Sequence, residues 1–197
     1  MHILHIISSP RPASFSIQLG HQIIEKLLVA HPSSTVRERN LAAHPLPHLE
    51  EAYLQSLYTP AETLSPAQKV AMRHSDEAIE ELRAADVLVL GAPFYNFGIP
   101  ATLKSWIDHL CRPGVTFRYT AAGPEGLITG KKVYIALASG GVYSARPMAA
   151  YDFVAPYLRA TLGFLGLTDM EVVRVEGTAI PDLAAEALPK AIASIQV

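Results

Sequence analysis

Val87-Leu88-Val89-Leu90-Gly91-Ala92-Pro93-Phe94-Tyr95-Asn96-Phe97-Gly98-Ile99-Pro100 is the stretch that decides how this chain folds. Four branched apolar residues in a row, without polar alternation, mark a strand covered on both faces, as in parallel sheets. A buried strand normally hands over to its helix through a short polar turn. Here three aromatic rings, an amide and two prolines stand before a helix-compatible segment from Ala101. Aromatics on a stiff loop at a strand's carboxyl end suit a flat, conjugated ligand.

Two further apolar runs, Ile3–Ile7 and Val133–Ala138, share the same character. Ser34–Leu41 carries Arg37, Glu38 and Arg39, too charged for a sheet centre, and is expected at one edge. Asp169–Val175 is expected at the other. Between these runs lie helical patterns. Ser16–Ala30 places Ile17, Gly20, Ile24 and Leu27 on one face. Ser65-Pro66-Ala67-Gln68 has the form of a capping box with proline at the first helical position, opening a helix to about Ala84 with Ala71, Ala78 and Leu82 inward. Ala101–Leu110, Ala149–Phe164 and Leu183–Ile195 follow, the last interrupted by Pro189. Ala42–Pro60, with Pro45, Pro47 and Pro60, reads as an irregular insertion.

This alternation predicts an α/β fold: a five-stranded parallel sheet in the order 2-1-3-4-5, with helices on both faces. That is the flavodoxin-like arrangement, and residues 1–197 are expected to form one such domain.

Composition narrows the function classes. Half the residues are apolar, 17% are charged and the formal net charge is −2, so nucleic acid is not the expected partner. Cys111 is the only cysteine, which excludes an internal disulfide and any CxxC or zinc-type spacing. The eight histidines are scattered without a HExxH pattern, so no metal is expected. No run approaches the roughly 18 apolar residues of a membrane span, and Met1–Ile7 lacks the basic lead of a signal peptide. The expectation is a cytoplasmic protein.

In a sheet of this order, ligands bind beyond the carboxyl ends of strands 1 and 3. Three loops meet there. Ser8-Ser9-Pro10-Arg11-Pro12-Ala13-Ser14-Phe15-Ser16 offers four hydroxyls at a helix N-terminus, a ready anion site. Ser14 or Ser16 as an ordinary N-cap is the plainer alternative. Pro93–Gly98 is the second loop. The third, Ala138-Ser139-Gly140-Gly141-Val142-Tyr143, has two glycines that either admit a ligand edge to the backbone or serve a tight turn of positive φ. Gly126–Lys132 lacks the spacing and the Ser or Thr of a P-loop. There is no G-x-S-x-G elbow. Cys111 falls in the last turn of a helix, where the dipole disfavours a thiolate. Asp108 and His109, adjacent on a helix, point about 100° apart. So few acid–base candidates beside so many loop aromatics fit chemistry carried by a cofactor.

The chain resembles the FMN-dependent NADH:azoreductases, flavodoxin-like bacterial reductases of quinones and azo dyes. The resemblance spans Ile3 to about Gly177. It rests on Ser9 with Ser14–Ser16, Ala92–Phe97, Gly114–Thr120, Gly123–Leu127 with Thr129–Lys132, and Leu162–Gly166. It implies FMN as cofactor, with Ser9, Ser14, Phe15 and Ser16 on the phosphate. Phe94, Tyr95, Asn96 and Phe97 would line the flavin, and Ala138, Ser139, Gly140 and Gly141 would form a third wall. Phe94 stands where the family has methionine, and Ser139 where it commonly has arginine. Phe97, Tyr119 and Phe164 are the implied substrate walls, closed by aromatics of a second copy in a homodimer. Within the aromatic loop, Phe94, Tyr95 and Asn96 are expected to grip the ring system and Phe97 to face the substrate. The implied reaction is a two-step hydride relay from NADH, or NADPH, through FMN to a quinone or azo compound, with no catalytic side chain. A non-catalytic electron carrier or flavin-binding regulator is the alternative from another class, and it would need no substrate cavity.

Overall fold

The computed structural model describes residues 1–197. Its elements run β1 (His2–Ile7), α1 (Phe15–Ala30), β2 (Thr35–Asn40), α2 (Glu51–Ser56), α3 (Pro66–Ala84), β3 (Val87–Pro93), α4 (Ala101–Leu110), β4 (Phe117–Thr120), β5 (Gly123–Gly126), β6 (Lys132–Ala138), α5 (Val154–Phe164), β7 (Asp169–Val175) and α6 (Pro181–Ser194). The main sheet is parallel throughout, in the order β2-β1-β3-β6-β7. Counting only its five strands along the chain, this is the expected 2-1-3-4-5.

Pleating sends alternate residues to opposite faces. Leu4, Ile6, Leu88, Leu90, Val133, Ile135 and Leu137 meet residues of α3, α4 and α5 in one core, with Trp106 fully buried in it. Ile3, Val87, Val89, Tyr134, Ala136, Val173 and Val175 meet α1 and α6 in the other. Every residue of β3 is buried, which explains its unbroken apolar run. The charged second strand is an edge, as expected. Arg37 and Arg39 both reach the buried Glu81 carboxylate on α3, Arg39 through Nε at 2.8 Å, so the charges cover one side of the edge.

Helix starts follow their local chemistry. Ser65 Oγ accepts from Gln68 N at 3.3 Å while Gln68 Oε1 accepts from Ser65 N at 2.9 Å, the reciprocal box expected for α3. Its inward face includes Ala78 and Leu82, whereas Ala71 is only half-buried and Met72 lies deeper. On α1, Leu19 and Ile23 are buried more completely than Ile17. Pro189 does sit inside α6, on its exposed side, where the carbonyl it frees, that of Ala185, belongs to an exposed residue.

Three expectations need correction. Ala42–Pro60 is not wholly irregular: it contains α2, anchored by Tyr53, whose hydroxyl donates to Ser75 Oγ at 3.4 Å. The helix expected over Ala149–Phe164 is divided. A short 3-10 turn, Met148–Tyr151, precedes Asp152, whose carboxylate accepts from Val154 N and Ala155 N at 3.1 Å and starts α5 afresh. The β4–β5 hairpin has no counterpart among the expected strands.

Neighbouring strands end nearly level: Ile6 pairs with Leu90, and Pro93 with Ala138. The serine loop, the aromatic loop and the Gly-Gly loop therefore leave the sheet along one edge.

Candidate functional site

Ser8 and Ser9 follow β1 directly, and both are buried. Ser8 Oγ donates to the Gly91 carbonyl at 2.6 Å, which fixes the start of the loop against β3. Ser9 Oγ lies 3.1 Å from the Tyr95 hydroxyl and accepts from Arg11 N at 3.3 Å. Ser14 occupies the N-cap position of α1, yet its side chain makes no capping hydrogen bond. Instead it meets Ser16 Oγ at 2.9 Å. The first N–H groups of a helix have no carbonyl one turn back, and the macrodipole adds positive character there. Ser9, Ser14 and Ser16, all buried, thus converge with a positive helix end whose cap residue faces elsewhere. This arrangement can hold an anionic oxygen cluster.

The aromatic loop is a tight turn. Tyr95 and Gly98 exchange backbone hydrogen bonds, N to O at 3.0 and 2.9 Å. The two residues between them, Asn96 (φ 49°) and Phe97 (φ 66°), are both left-handed. This is the type I′ pattern, where Asn is favoured first and Gly second. Phe97 stands where glycine would relieve the strain, at a cost of about 1–2 kcal/mol. Strain of this kind persists where surrounding structure holds it, and it clusters at functional sites. Its consequence is that Asn96 and Phe97 project outward, Phe97 remaining 44% exposed.

Neither Gly140 nor Gly141 has positive φ, so the tight-turn alternative for this pair fails. Crowding explains them. A Cβ on Gly140 would stand 3.2 Å from the Ala179 Cβ, and one on Gly141 3.1 Å from the Tyr143 ring. The loop is tied to the segment after β7: Thr178 N donates to Ser139 O at 3.3 Å and Ala179 N to Gly140 O at 3.0 Å. Ser139 Oγ donates to Gly141 O at 2.8 Å and is committed to the loop itself. Glu176 accepts from Tyr143 N at 2.8 Å and Ser144 N at 2.9 Å, holding the loop's far end.

A cleft of about 340 Å³ opens where the three loops meet. Ser14, Phe15, Phe94, Tyr95, Ala138, Ser139 and Gly140 line it, together with Arg11, Pro93, Thr178 and Ala179. No Asp, Glu, His or Cys is among them. Of the sequence candidates, Ser9 and Ser16 lie behind this lining through hydrogen bonds to Tyr95 and Ser14. Asn96, Phe97 and Gly141 lie outside it. Thr178 and Ala179 have no counterpart among the sequence candidates, and Tyr143 figured there only as the end of the Gly-Gly loop. Only the mixed Glu176–Ile180 segment following a strand end could have pointed to the first two.

The aromatic candidates fall into two groups. Phe94 stacks on Tyr143 with centroids 4.2 Å apart, and Phe97 meets Tyr143 edge-on at 6.2 Å and Tyr151 at 5.7 Å. Phe164 and Tyr119 instead pack on Phe117, at 4.4 and 5.6 Å. Within one chain the ring contacts of Phe97 do not reach Tyr119 or Phe164. Tyr119 is 76% exposed, an aromatic ring with nothing over most of its surface.

The rejected chemistries stay rejected. Burial, reinforced by Asp108, pushes the Cys111 thiol up to about 11, so it carries no thiolate at neutral pH. Asp108 is paired with Lys104 at 2.6 Å, whereas His109 Nε2 faces the Pro47 carbonyl at 3.0 Å, so the two form no relay. A larger hollow of about 550 Å³, between Pro47–Tyr53 and α3, shares no lining residue with the cleft between the three loops. No helix is long and apolar enough to cross a membrane.

A model of the Flavodoxin_2 family, described as a flavodoxin-like fold, matches residues 1–197. An FMN-dependent NADH:quinone oxidoreductase of Mesorhizobium japonicum is 49% identical over 197 residues, covering 99% of this chain and 94% of that one. A protein of the same name from Herminiimonas arsenicoxydans is 50% identical over 192 residues, covering 97% and 93%. Among solved structures, an azoreductase from Bacillus anthracis superposes with a TM-score of 0.91 at 33% identity, covering 98% and 95%. An FMN-dependent NADH-azoreductase from the same species, in complex with FMN, gives 0.85 at 26% identity, covering 98% and 96%.

Proposed function

Because the chain belongs to the flavodoxin-like family of FMN-dependent NADH:quinone oxidoreductases and azoreductases, we propose that it reduces quinones, and azo compounds in the same place, with electrons from NADH. The alternative of a non-catalytic carrier gains no support from relatives whose names are those of oxidoreductases.

The residues fit FMN. The single observation that carries the assignment is Ser14: an N-cap serine whose hydroxyl leaves the helix uncapped and joins Ser16 at a positive helix end. A phosphate monoester carries close to two negative charges and several acceptor oxygens. Ser9, Ser14 and Ser16 hydroxyls with the N–H groups of Phe15 and Ser16 would hold it without a lysine. Phe15, Phe94 and Tyr95 would present apolar surface to the flavin, and Ala138–Gly140 would bring backbone to its edge. Gly140 keeps that approach free of a side chain. Gly141 and Asn96 would flank it from outside the cleft lining.

When bound, FMN supplies the redox chemistry, taking a hydride from NADH and delivering two electrons to the acceptor. The chain's own residues do the positioning. The strained turn holds Phe97 outward, where it would form one wall for the nicotinamide and then for the acceptor. Phe94, locked against Tyr143, excludes water from the cleft floor. With no carboxylate, imidazole or thiol lining the cleft, solvent is the proton source for the product.

The two separated aromatic groups support a homodimer. A second copy would bring Tyr119, and with it the Phe164 end of α5, over the Phe97 wall of the first. A hollow of about 630 Å³ beside the turn, lined by Gly98, Ile99, Ala101, Lys104, Phe153, Pro156 and Tyr157, offers an apolar surface for that contact. The lone thiol fits a reducing, cytoplasmic setting.

Titrating the apoprotein with FMN and with riboflavin tests the phosphate grip. FMN should bind at least ~100-fold more tightly, about 2.7 kcal/mol. Equal affinities would remove the serine loop from the site.

A further inference from the structure

His5 is the one histidine buried within a strand of the sheet, and the flavin site does not explain it. It lies in the middle of β1, 1% exposed, on the face covered by α1. Burial there normally requires that both ring nitrogens be used. Here Nε2 has no hydrogen-bond partner and packs on Gly20 of α1, where a Cβ would come within 2.6 Å of it. The helix carries glycine at this point to admit the imidazole. On its other side, Nδ1 faces Glu38 Oε2 at 3.8 Å, too far for a hydrogen bond. Glu38 is the cross-strand partner of His5 on β2. His21, one residue beyond Gly20, sets its ring edge-on to His5 with centroids 5.2 Å apart.

We propose that His5, His21 and Glu38 form a binding site for a divalent transition-metal ion of the zinc type, separate from the flavin cleft. One donor atom from each residue lies within 4.8 Å of the other two. Two ligands at about 2.1 Å from one tetrahedral ion stand ~3.4 Å apart. The 3.8 Å between Nδ1 and the carboxylate is therefore a ligand-to-ligand spacing rather than a failed hydrogen bond. His21 and Glu38 are exposed, so small rotamer changes close the remaining distance without moving the core. Two imidazoles and a carboxylate favour zinc, nickel, cobalt or copper over calcium or magnesium, which take oxygen ligands. Three protein ligands leave a position for water. An ion here would join β1, edge strand β2 and α1, the helix whose cap position is Ser14 and whose first turn carries Ser16. The three residues come from three elements, so no sequence spacing announces them.

The test uses tag-free, FMN-loaded protein stripped with chelator and titrated with zinc chloride by calorimetry. His21→Ala and Glu38→Gln are preferred to changes at His5, because both sites are exposed and retained FMN reports an intact fold. The expected result is one zinc per chain, an affinity lowered at least about tenfold by each substitution, and a zinc-induced rise in melting temperature that the double variant loses. Absence of saturable binding overturns the proposal. So does zinc binding unchanged in the double variant, which would move the ion to other histidines such as His48 and His74. Neither outcome bears on the flavin site.

Discussion

Ser14 and Phe97 are the residues at which local rules are broken. An N-cap serine that capped its helix would lose about 1 kcal/mol of stability on replacement by alanine. Ser14 makes no such bond. In Ser14→Ala the apoprotein should lose about 1 kcal/mol, the loss of the buried hydrogen bond to Ser16, while the FMN dissociation constant rises about tenfold, for the loss of a hydrogen bond to a charged group. The same destabilisation with unchanged FMN affinity would leave Ser14 a structural residue. Phe97 holds φ at 66°, a conformation that glycine adopts freely. Phe97→Gly relieves about 1 kcal/mol of strain, offset by lost ring contacts and a more flexible unfolded chain. Stability should change little, while kcat/KM for quinone falls about tenfold. Unchanged kinetics would take Phe97 out of the substrate wall.

At the scale of elements, the sheet was legible because burial on both faces leaves an apolar run that no other element needs. Val87–Leu90 is the clearest case, and Asp169–Val175 was read to its observed bounds. The β4–β5 hairpin was not legible. Only Phe117 among its residues is buried, so neither period-2 alternation nor an apolar run marks it. What holds it is a backbone-to-backbone approach invisible in composition: a Cβ on Gly126 would fall 2.1 Å from Gly166 N. Gly126→Ala should therefore cost more than ~2 kcal/mol in urea unfolding, as overpacking against backbone has no side chain to yield. A neutral result would mean that the hairpin is not docked on the end of α5. The serine and Gly-Gly loops were legible as a candidate site because strand order places them together. Thr178 and Ala179 were not, since their part comes from backbone bonds to Ser139 and Gly140. The divided helix before α5 escaped for a similar reason: Asp152 acts as a start signal inside an otherwise helical pattern.

For the whole molecule, histidines folded in without charge contribute to the loss of stability in acid. Burial, with a smaller contribution from His21, lowers the His5 pKa from 6.5 to about 4, and burial also lowers that of His109. The unfolded chain thus binds more protons than the folded one between these values, and stability falls as pH falls. The His5 contribution is fully present above about pH 6.5. It should decline by about 2 kcal/mol between pH 7 and pH 5 and cease to change below about pH 4. Urea midpoints of chelator-treated protein across this range give the check. A flat profile would mean that His5 is not held neutral by the fold.

The loops at one sheet edge, the unused cap at Ser14 and the family membership converge on one claim: a single polypeptide with FMN carries electrons from NADH to a quinone. Steady-state oxidation of NADH by the FMN-loaded protein with menadione as acceptor, no other protein present, tests it most directly. The account predicts turnover that needs quinone, scales with bound FMN and is lost when FMN is removed. NADH oxidation that begins only when a second protein is added would contradict it and return the chain to the class of electron carriers.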